Sequence, residues 1–251
     1  MLKQSLKSLL AVAVIAASSS AFAAEVTVSA AASLTNAFKE IAENFETANP
    51  EHKVLLNFAG SGELLQQIAK GAPVDVFASA DQETMDKAQA QGLLNDGSRK
   101  DFVQNTLVVI TPSNSKLELK ALTDLQQDAL QRLAISNPES VPVGRYSKQA
   151  LVTSNLWDAL ADKMINTQNV RQSLDYVARD EVDAGFVYAT DAAIMADKVK
   201  VQFTVPLEAV VSYPIAVTKE GAAKELSQQF IDYTFNEESQ AVLTKFGFSK
   251  P

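Results

Sequence analysis

The chain has 251 residues, and its 30 acidic residues outnumber 22 Lys and Arg, for a formal net charge of −8 at pH 7. This acidic balance argues against nucleic acid or a membrane surface as a partner. Because cysteine is absent, we expect neither disulfides nor a lipid attached through cysteine. The single histidine, His52, lies in the polar turn 49–53, which argues against a zinc site and against His-dependent catalysis.

Residues 1–23 have the three parts of a secretory signal peptide. Lys3 and Lys7 form a basic start, residues 9–17 form a short apolar run, and 21–23 read Ala-Phe-Ala, the small-x-small pattern of a cleavage site. The apolar run is too short to be a transmembrane helix. We therefore expect cleavage near Ala23-Ala24 and a soluble mature protein in the periplasm.

Strands and helices alternate in the first half of the mature chain. An apolar strand at 26–28 precedes a helix at 34–48, whose apolar residues recur on one face. A strand at 53–58, a helix at 63–70 that Gly71 ends, and a strand at 75–79 follow. Helices between short apolar strands predict βαβ units and a mostly parallel sheet.

The same alternation restarts after residue 104 and predicts a second α/β unit. The predicted strands lie at 107–111, 132–136, 184–188 and 213–217, and the predicted helices at 146–152, 170–178, 226–235 and 240–246. Strand-like segments at 106–111 and 213–218 are candidates for two crossings between lobes. We expect one lobe at 24–105 and 214–251, a second lobe at 106–213, and a ligand cleft between them.

Four junctions place a hydroxyl or a free backbone N–H after a strand or at the start of a helix. They are the segments around Ser33, around Ser61, at 137–144, and at 169–170 with Tyr188 after the next strand. Helix N-termini at the carboxyl ends of parallel strands carry unsatisfied N–H groups and a partial positive charge, so they bind anions. About half a dozen charge-assisted donors, each worth roughly 1.5–3 kcal/mol, would hold an anion without a cationic side chain.

Structural interpretations compete with this one at each position. Ser33 and Ser61 are equally well explained as helix caps, Tyr188 as a core residue, and Arg145 and Arg171 as solvated residues on helix surfaces. Enzymatic patterns are absent from the sequence: Ala59 and Glu63 stand where a nucleophile elbow around Ser61 needs glycine, and Glu63 stands where a phosphate-binding P-loop needs lysine.

Five segments together resemble the periplasmic molybdate-binding proteins of molybdate ABC transporters, within the type II solute-binding proteins. These segments are AAASLT at 30–35, GAPVDVFASAD at 71–81, PESVPVGRY at 138–146, NVR at 169–171 and GFVYATDA at 185–192. The resemblance runs along essentially the whole mature chain. It implies a two-lobed α/β fold of type II, each lobe a mostly parallel sheet flanked by helices.

The resemblance also implies a ligand, a partner and a set of binding residues. The ligand is molybdate or tungstate, held by neutral donors that fall in this sequence on Ser33, Ser61, Val143, Val170 and Tyr188, with no cofactor and no direct metal-cation ligand. Val143 stands where relatives often have alanine, and Gly60 and Gly62 where some have serine. The partner is an inner-membrane ABC transporter permease, and we expect a monomer without catalytic activity.

Physical chemistry limits the choice among anions. Molybdate and tungstate are fully deprotonated near neutral pH, whereas hydrogen phosphate carries an O–H that finds no acceptor in a donor-only site. Sulfate matches the donors equally well, so only the size of the cavity can exclude it. The alternatives are a receptor for sulfate or another tetrahedral oxyanion, a receptor for amino acids or ferric iron and, more remotely, a secreted hydrolase.

Overall fold

The structure is a computed structural model that describes residues 24–251. The predicted signal peptide, residues 1–23, lies outside the described residues. Within them, no helix is long and apolar enough to cross a membrane.

The described part of the chain forms ten strands and eight α-helices. The strands are β1 Ala24–Ala31, β2 His52–Ala59, β3 Val76–Ala78, β4 Lys100–Asn105, β5 Leu107–Pro112, β6 Leu133–Ser136, β7 Met164–Thr167, β8 Ala184–Tyr188, β9 Val199–Thr204 and β10 Val211–Val217. The helices are α1 Thr35–Ala48, α2 Ser61–Ala69, α3 Gln82–Ala90, α4 Pro142–Thr153, α5 Val170–Ala178, α6 Ala189–Ile194, α7 Glu225–Thr234 and α8 Glu237–Lys245.

The first sheet has the strand order β2-β1-β3-β10-β4. Strand β1 pairs in parallel with β2 and β3, whereas β10 runs antiparallel to both of its neighbours. The register of β1 and β2 runs from Ala24 opposite His52 to Ala31 opposite Ala59. The segments that follow these two strands, which carry Ser33 and Ser61, therefore start from the same edge of the sheet. We call this sheet with α1, α2, α3, α7 and α8 the first lobe.

The second sheet has the strand order β7-β6-β8-β5-β9 and repeats the same plan. Strand β6 pairs in parallel with β7 and β8, and β5 runs antiparallel to β8 and β9. We call this sheet with α4, α5 and α6 the second lobe. The predicted two-unit α/β architecture is confirmed, with one reversed strand in each otherwise parallel sheet.

The reversed strands are the ones that follow the crossings between the lobes. The chain leaves the first sheet at Asn105 and enters the second with β5, and it returns through residues 205–210 into β10. Residues 211–213 pair with β4 in the first sheet, although we predicted them in the second lobe. The division into lobes at 24–105 with 214–251, and at 106–213, stays a proposal.

Helix α1 shows why these segments form these elements. Its buried residues are Ala37, Phe38, Ile41, Ala42 and Phe45, the face that the periodicity predicts. Burial of the three large side chains contributes about 1.5–3 kcal/mol each to the free energy of folding. The helix is therefore stabilised by packing on its sheet more than by its intrinsic propensity.

Several element boundaries differ from the prediction. Helix α5 and strand β8 have the predicted bounds. The helix that we predicted at 146–152 begins at Pro142, because proline is favoured in the first turn, where its missing N–H is not needed. Helices α3 and α6 and strands β4, β7 and β9 were not predicted.

Candidate functional site

One cavity between the lobes is lined by all five predicted site residues, Ser33, Ser61, Val143, Val170 and Tyr188. The empty space among the lining residues, counted with the part open to solvent, is about 210 Å³, enough for a ligand of a few atoms. Among the described residues, none that lines this cavity carries a charged side chain. The space suits a compact ligand that is held by neutral groups.

Ser33 lies in a short 3-10 helix, Ala32–Leu34, between β1 and α1. Its hydroxyl caps neither this turn nor α1. The side-chain oxygen instead lies 2.9 Å from the hydroxyl oxygen of Tyr213 in β10, and both residues are buried. The interpretation of Ser33 as a helix cap is therefore wrong.

Ser61 is the first residue of α2, and Gly60 occupies the capping position before it. The fully buried Ser61 Oγ accepts a hydrogen bond from the backbone N–H of Ala80 at 3.1 Å. A hydroxyl oxygen that accepts from the backbone keeps its own proton for another partner. Ser61 is therefore positioned to donate into the cavity and does not cap its own helix.

Val143 and Val170 bring backbone N–H groups from the second lobe. Val143 follows Pro142 in the first turn of α4, and Val170 is the first residue of α5, directly after the capping residue Asn169. N–H groups in the first turn of a helix have no carbonyl acceptor within that helix, and they lie at the positive end of its dipole. Both residues are buried against the cavity, so a ligand there would meet two polarised donors.

Tyr188 ends β8 at the crossing, where it pairs with Leu107 of β5. Its side chain is buried, and the hydroxyl oxygen has no hydrogen-bond partner among the described residues. Burial raises the pKa of Tyr188 well above its usual value of 10. The group therefore stays protonated at any physiological pH and is able to donate a hydrogen bond.

Arg145 was expected as a solvated surface residue, and the structure contradicts this. Its side chain is only 15% exposed, and it reaches from α4 across the cleft to Asp81 Oδ2, with an Nη2–Oδ2 distance of 2.7 Å. The same guanidinium group donates to Thr84 Oγ1 at 2.6 Å. Arg145 thus joins the two lobes beside the cavity.

Arg171 of α5 was also expected in solvent and also bridges the lobes. It donates to Asn36 Oδ1 at 2.8 Å and to the backbone oxygen of Ser33 at 3.2 Å, both in the first lobe. Its Nε lies 2.6 Å from Oδ1 of the fully buried Asp191. Burial raises the pKa of Asp191 to about 6, although the Arg171 charge opposes the shift. Both arginines are engaged by protein groups, and neither arginine lines the cavity.

Sequence reasoning missed Asp81, Asp191 and Tyr213. A local signal exists for Asp81 alone, because its side chain caps α3 through the N–H of Thr84 at 3.1 Å. Asp191 contacts Arg171, 20 positions earlier, and the partner of Tyr213 lies far away in the sequence. Tyr213 and Ser33, for example, are 180 positions apart.

The lobes also meet backbone to backbone beside the site. The N–H of Gly62 in α2 donates to the carbonyl oxygen of Ser140 in the second lobe at 2.9 Å. A Cβ atom on Gly62 would lie 2.5 Å from that oxygen. With the backbones of this chain at this distance, a side chain at position 62 would require the two lobes to move apart.

Comparison with known proteins gives a family match and close relatives over most of the chain. Residues 26–249 match the family model described as bacterial extracellular solute-binding protein. The molybdate-binding protein ModA of Escherichia coli (strain K12) is 37% identical over 233 residues, 90% of this chain and 89% of the relative. The molybdate-binding protein ModA of Haemophilus influenzae is 34% identical over 240 residues, 91% of each chain.

Among solved structures, the periplasmic molybdate-binding protein of Azotobacter vinelandii has a similar fold. The TM-score is 0.79 at 26% sequence identity, with 90% of this chain and 99% of that chain covered. The similarity therefore includes both lobes and the cleft between them.

Proposed function

The chain belongs to the bacterial extracellular solute-binding proteins, and from this premise we propose that it binds one molybdate ion in the cavity between its lobes. The fold is the two-lobed type II fold of periplasmic binding proteins. The ligand would be held by the hydroxyls of Ser33, Ser61 and Tyr188 and by the backbone N–H groups of Val143 and Val170. The relatives named as molybdate-binding proteins support this choice of ligand.

The unpartnered hydroxyl of Tyr188 carries the proposal. A hydroxyl that is buried without a partner destabilises the folded protein by about 1–3 kcal/mol, and this one belongs to a residue that lines the cavity. An oxyanion supplies the missing acceptor. Since no charged side chain of the described residues lines the cavity, the affinity would come from directed hydrogen bonds rather than from net charge.

The donor character of the cavity favours an anion without a proton. Ser61 already accepts from the Ala80 N–H, so its own proton is available to donate to a ligand. Hydrogen phosphate would bring an O–H that needs an acceptor, whereas molybdate and tungstate would not. Tungstate is therefore part of the proposal, and sulfate would be excluded by its size alone.

The biological role follows from the family. We place the mature protein in the periplasm as a monomer that closes on the ion and then docks on an inner-membrane ABC transporter permease. The ABC transporter assignment of a similar solved structure, the substrate binding domain of a molybdenum ABC transporter from Clostridium difficile, supports the permease partner; the two are 33% identical with a TM-score of 0.68.

The arrangement of the site supports binding without catalysis. The hydroxyls of Ser33 and Ser61 contact Tyr213 and the Ala80 N–H, and neither contacts a base. His52 begins β2, whose last residue, Ala59, lines the cavity. The two ends of this eight-residue strand are about 23 Å apart, too far for a histidine that activates either serine.

Calorimetric titration of the mature protein with molybdate, tungstate, sulfate and phosphate tests the proposal. We expect one ion per protein for molybdate and tungstate, and at least about 100-fold weaker binding of phosphate, because its O–H would remain unpaired. Equal binding of all four anions, or of none, would contradict the assignment.

Alanine at Ser33 or at Ser61 should each weaken molybdate binding by about 10- to 100-fold. Each change removes one hydrogen bond to a charged ligand, worth roughly 1.5–3 kcal/mol. Ser227→Ala is the matched control, since Ser227 is a fully buried serine of α7 outside the cavity. Dissociation constants and melting temperatures of the three variants separate a loss of binding from a loss of fold. Unchanged affinity in both site variants would remove the serines from the site.

A further inference from the structure

Two buried residues that do not line the cavity form a hydrogen-bonded chain to one that does. Asn105, the last residue of β4, donates from Nδ2 to the hydroxyl oxygen of Tyr213 at 3.1 Å. The Tyr213 oxygen lies in turn 2.9 Å from Ser33 Oγ. Asn105 is 9% exposed and Tyr213 is fully buried. We call Asn105, Tyr213 and Ser33 the relay.

Asn105, the residue of the relay farthest from the cavity, sets the direction of the hydrogen bonds in the relay. The backbone N–H of Thr106 donates to Asn105 Oδ1 at 2.9 Å, which leaves the amide nitrogen on the side of Tyr213. An amide nitrogen only donates, so the Tyr213 oxygen must accept from it. The second amide hydrogen is used by Thr190 Oγ1 at 2.9 Å.

The direction of the Asn105–Tyr213 bond in turn determines the direction of the bond between Tyr213 and Ser33. Burial raises the pKa of Tyr213 well above its usual value of 10, so its hydroxyl keeps its proton. Since its oxygen accepts from Asn105, that proton is free to be donated to Ser33 Oγ. Ser33 therefore accepts from Tyr213, and its own proton points to the remaining partner, a ligand in the cavity.

The Ser61 hydroxyl is also oriented as a donor towards the cavity, but by a different contact. Its oxygen accepts from the Ala80 backbone N–H, a donor that no side-chain substitution can reverse. Ser33 instead depends on two side chains. In the first lobe, Ser33 is therefore the hydroxyl whose hydrogen-bond direction can be changed by a substitution at another position.

We propose that Asn105 and Tyr213 are specificity-determining positioning residues, which orient the Ser33 hydroxyl as a donor and so select tetrahedral oxyanions without a proton over oxyanions that carry one. The inference rests on the proposed function and names the source of its selectivity. It predicts that altering the relay changes the preference between two anions of equal charge and similar shape, rather than the affinity alone.

The test compares hydrogen phosphate with sulfate at pH 8, where both are dianions and only the former has a proton to donate. Tyr213→Phe removes the donor to Ser33 without changing any charge, and it leaves a Ser33 lone pair available to a ligand. We expect the affinity ratio of hydrogen phosphate to sulfate to rise at least about fivefold, because the phosphate O–H gains an acceptor. Competition of each anion against bound molybdate measures the ratio.

Asn105→Asp is the second variant and reverses the relay. Its Oδ1 still accepts from the Thr106 N–H, but the other oxygen accepts from Tyr213, which then accepts from Ser33, so Ser33 presents a lone pair to the cavity. The new negative charge weakens both dianions alike and cancels in the ratio, which we again expect to rise at least about fivefold. Thr190→Val is the matched control: it removes the other acceptor of the same amide, and the ratio should stay as in wild type.

The possible outcomes separate the two proposals. An unchanged phosphate-to-sulfate ratio in Tyr213→Phe and in folded Asn105→Asp would overturn the relay, even if both variants bind molybdate more weakly. A ratio that rises equally in Thr190→Val would also overturn the relay, because a general loosening of the cavity would then explain the change. A wild-type protein that prefers sulfate to molybdate overturns the proposed ligand, while the ratios still decide the relay. Binding of no anion overturns both.

Discussion

Replacement of Gly62 by alanine should weaken molybdate binding by at least about 1,000-fold. A Cβ atom there would lie 2.5 Å from the carbonyl oxygen and 2.9 Å from the Cα of Ser140. These are backbone atoms, so no side chain can rotate away and the lobes would be held apart. The second-lobe donors, Val143, Val170 and Tyr188, would then not reach an anion bound to the first lobe. Three charge-assisted bonds at about 1.5–3 kcal/mol each account for the loss.

The ligand-free Gly62→Ala protein should be at least as stable as wild type. Alanine in a helix is about 1 kcal/mol more favourable than glycine, and the steric conflict lies between the lobes rather than within one. Calorimetry gives the affinity and scanning calorimetry gives the melting temperature. A variant that binds with wild-type affinity would show that the close contact of Gly62 and Ser140 is not needed for binding.

Two control variants surround this position. Glu63→Ala changes the exposed neighbour of Gly62 and should leave binding within a fewfold of wild type. Gly60→Ala is a graded case, because its Cβ would lie 3.1 Å from the Gln168 carbonyl oxygen and 3.2 Å from Val141 Cγ2. We expect its effect to fall between those of Glu63→Ala and Gly62→Ala, as the predicted overlap does.

Replacement of Gly144 by alanine should destabilise the fold itself, by about 3 kcal/mol or more. A Cβ atom at this position would lie 2.1 Å from the carbonyl oxygen and 2.7 Å from the carbonyl carbon of Ser136, at the end of β6. Helix α4 packs on β6 and β8, so the overlap would push the helix away from its own sheet. For a chain of this size the melting temperature should fall by about 10 °C.

Gln149→Ala is the control for Gly144→Ala. Gln149 is exposed on the same helix, and its substitution should change the free energy of unfolding by no more than about 0.5 kcal/mol. Urea unfolding of both variants measures the difference. Because Val143 precedes Gly144, displacement of α4 also moves the Val143 N–H, so we expect any folded Gly144→Ala protein to bind molybdate more weakly. Wild-type stability would show that α4 shifts freely on β6.

Of these two glycines beside the cavity, Gly62 is expected to matter for binding and Gly144 for folding. Gly62 faces the other lobe and Gly144 faces the sheet of its own lobe, yet each stands beside a proposed ligand donor, Ser61 or Val143. An anion site made of neutral donors depends on distances rather than on charge, since a hydrogen bond weakens steeply with poor geometry. Backbone contacts too close for any side chain are one means of holding such distances.

Local patterns in the sequence were sufficient for much of the fold. Alternating short apolar strands and amphipathic helices predicted two α/β units, and the buried face of α1 is the predicted one. The bounds of α5 and β8 were also predicted. Each of these signals depends on the periodicity of a single helix or strand, which residues a few positions apart determine.

Four junctions in the sequence indicated these regions, the resemblance named the five candidate binding residues, and the structure brings them together around one cavity. Their binding role stays a prediction. The edge at which they meet was predictable in part, because parallel strands end on the same side of a sheet. The cap interpretation of Ser33 failed for a different reason: the partner of its hydroxyl, Tyr213, belongs to a strand that enters the sheet only when the chain returns from the second lobe.

By itself, the sequence determined the class of fold, the alternation of strands and helices in two units, and the acidic, cysteine-free character of the chain. Only the tertiary structure decided that Arg145 and Arg171 bridge the lobes and that Asn105 and Tyr213 form a hydrogen-bonded chain to the Ser33 hydroxyl. These contacts join residues that lie 64 to 180 positions apart. Helix and strand periodicities report only on neighbours along the chain, whereas such contacts exist only after two lobes have folded and met.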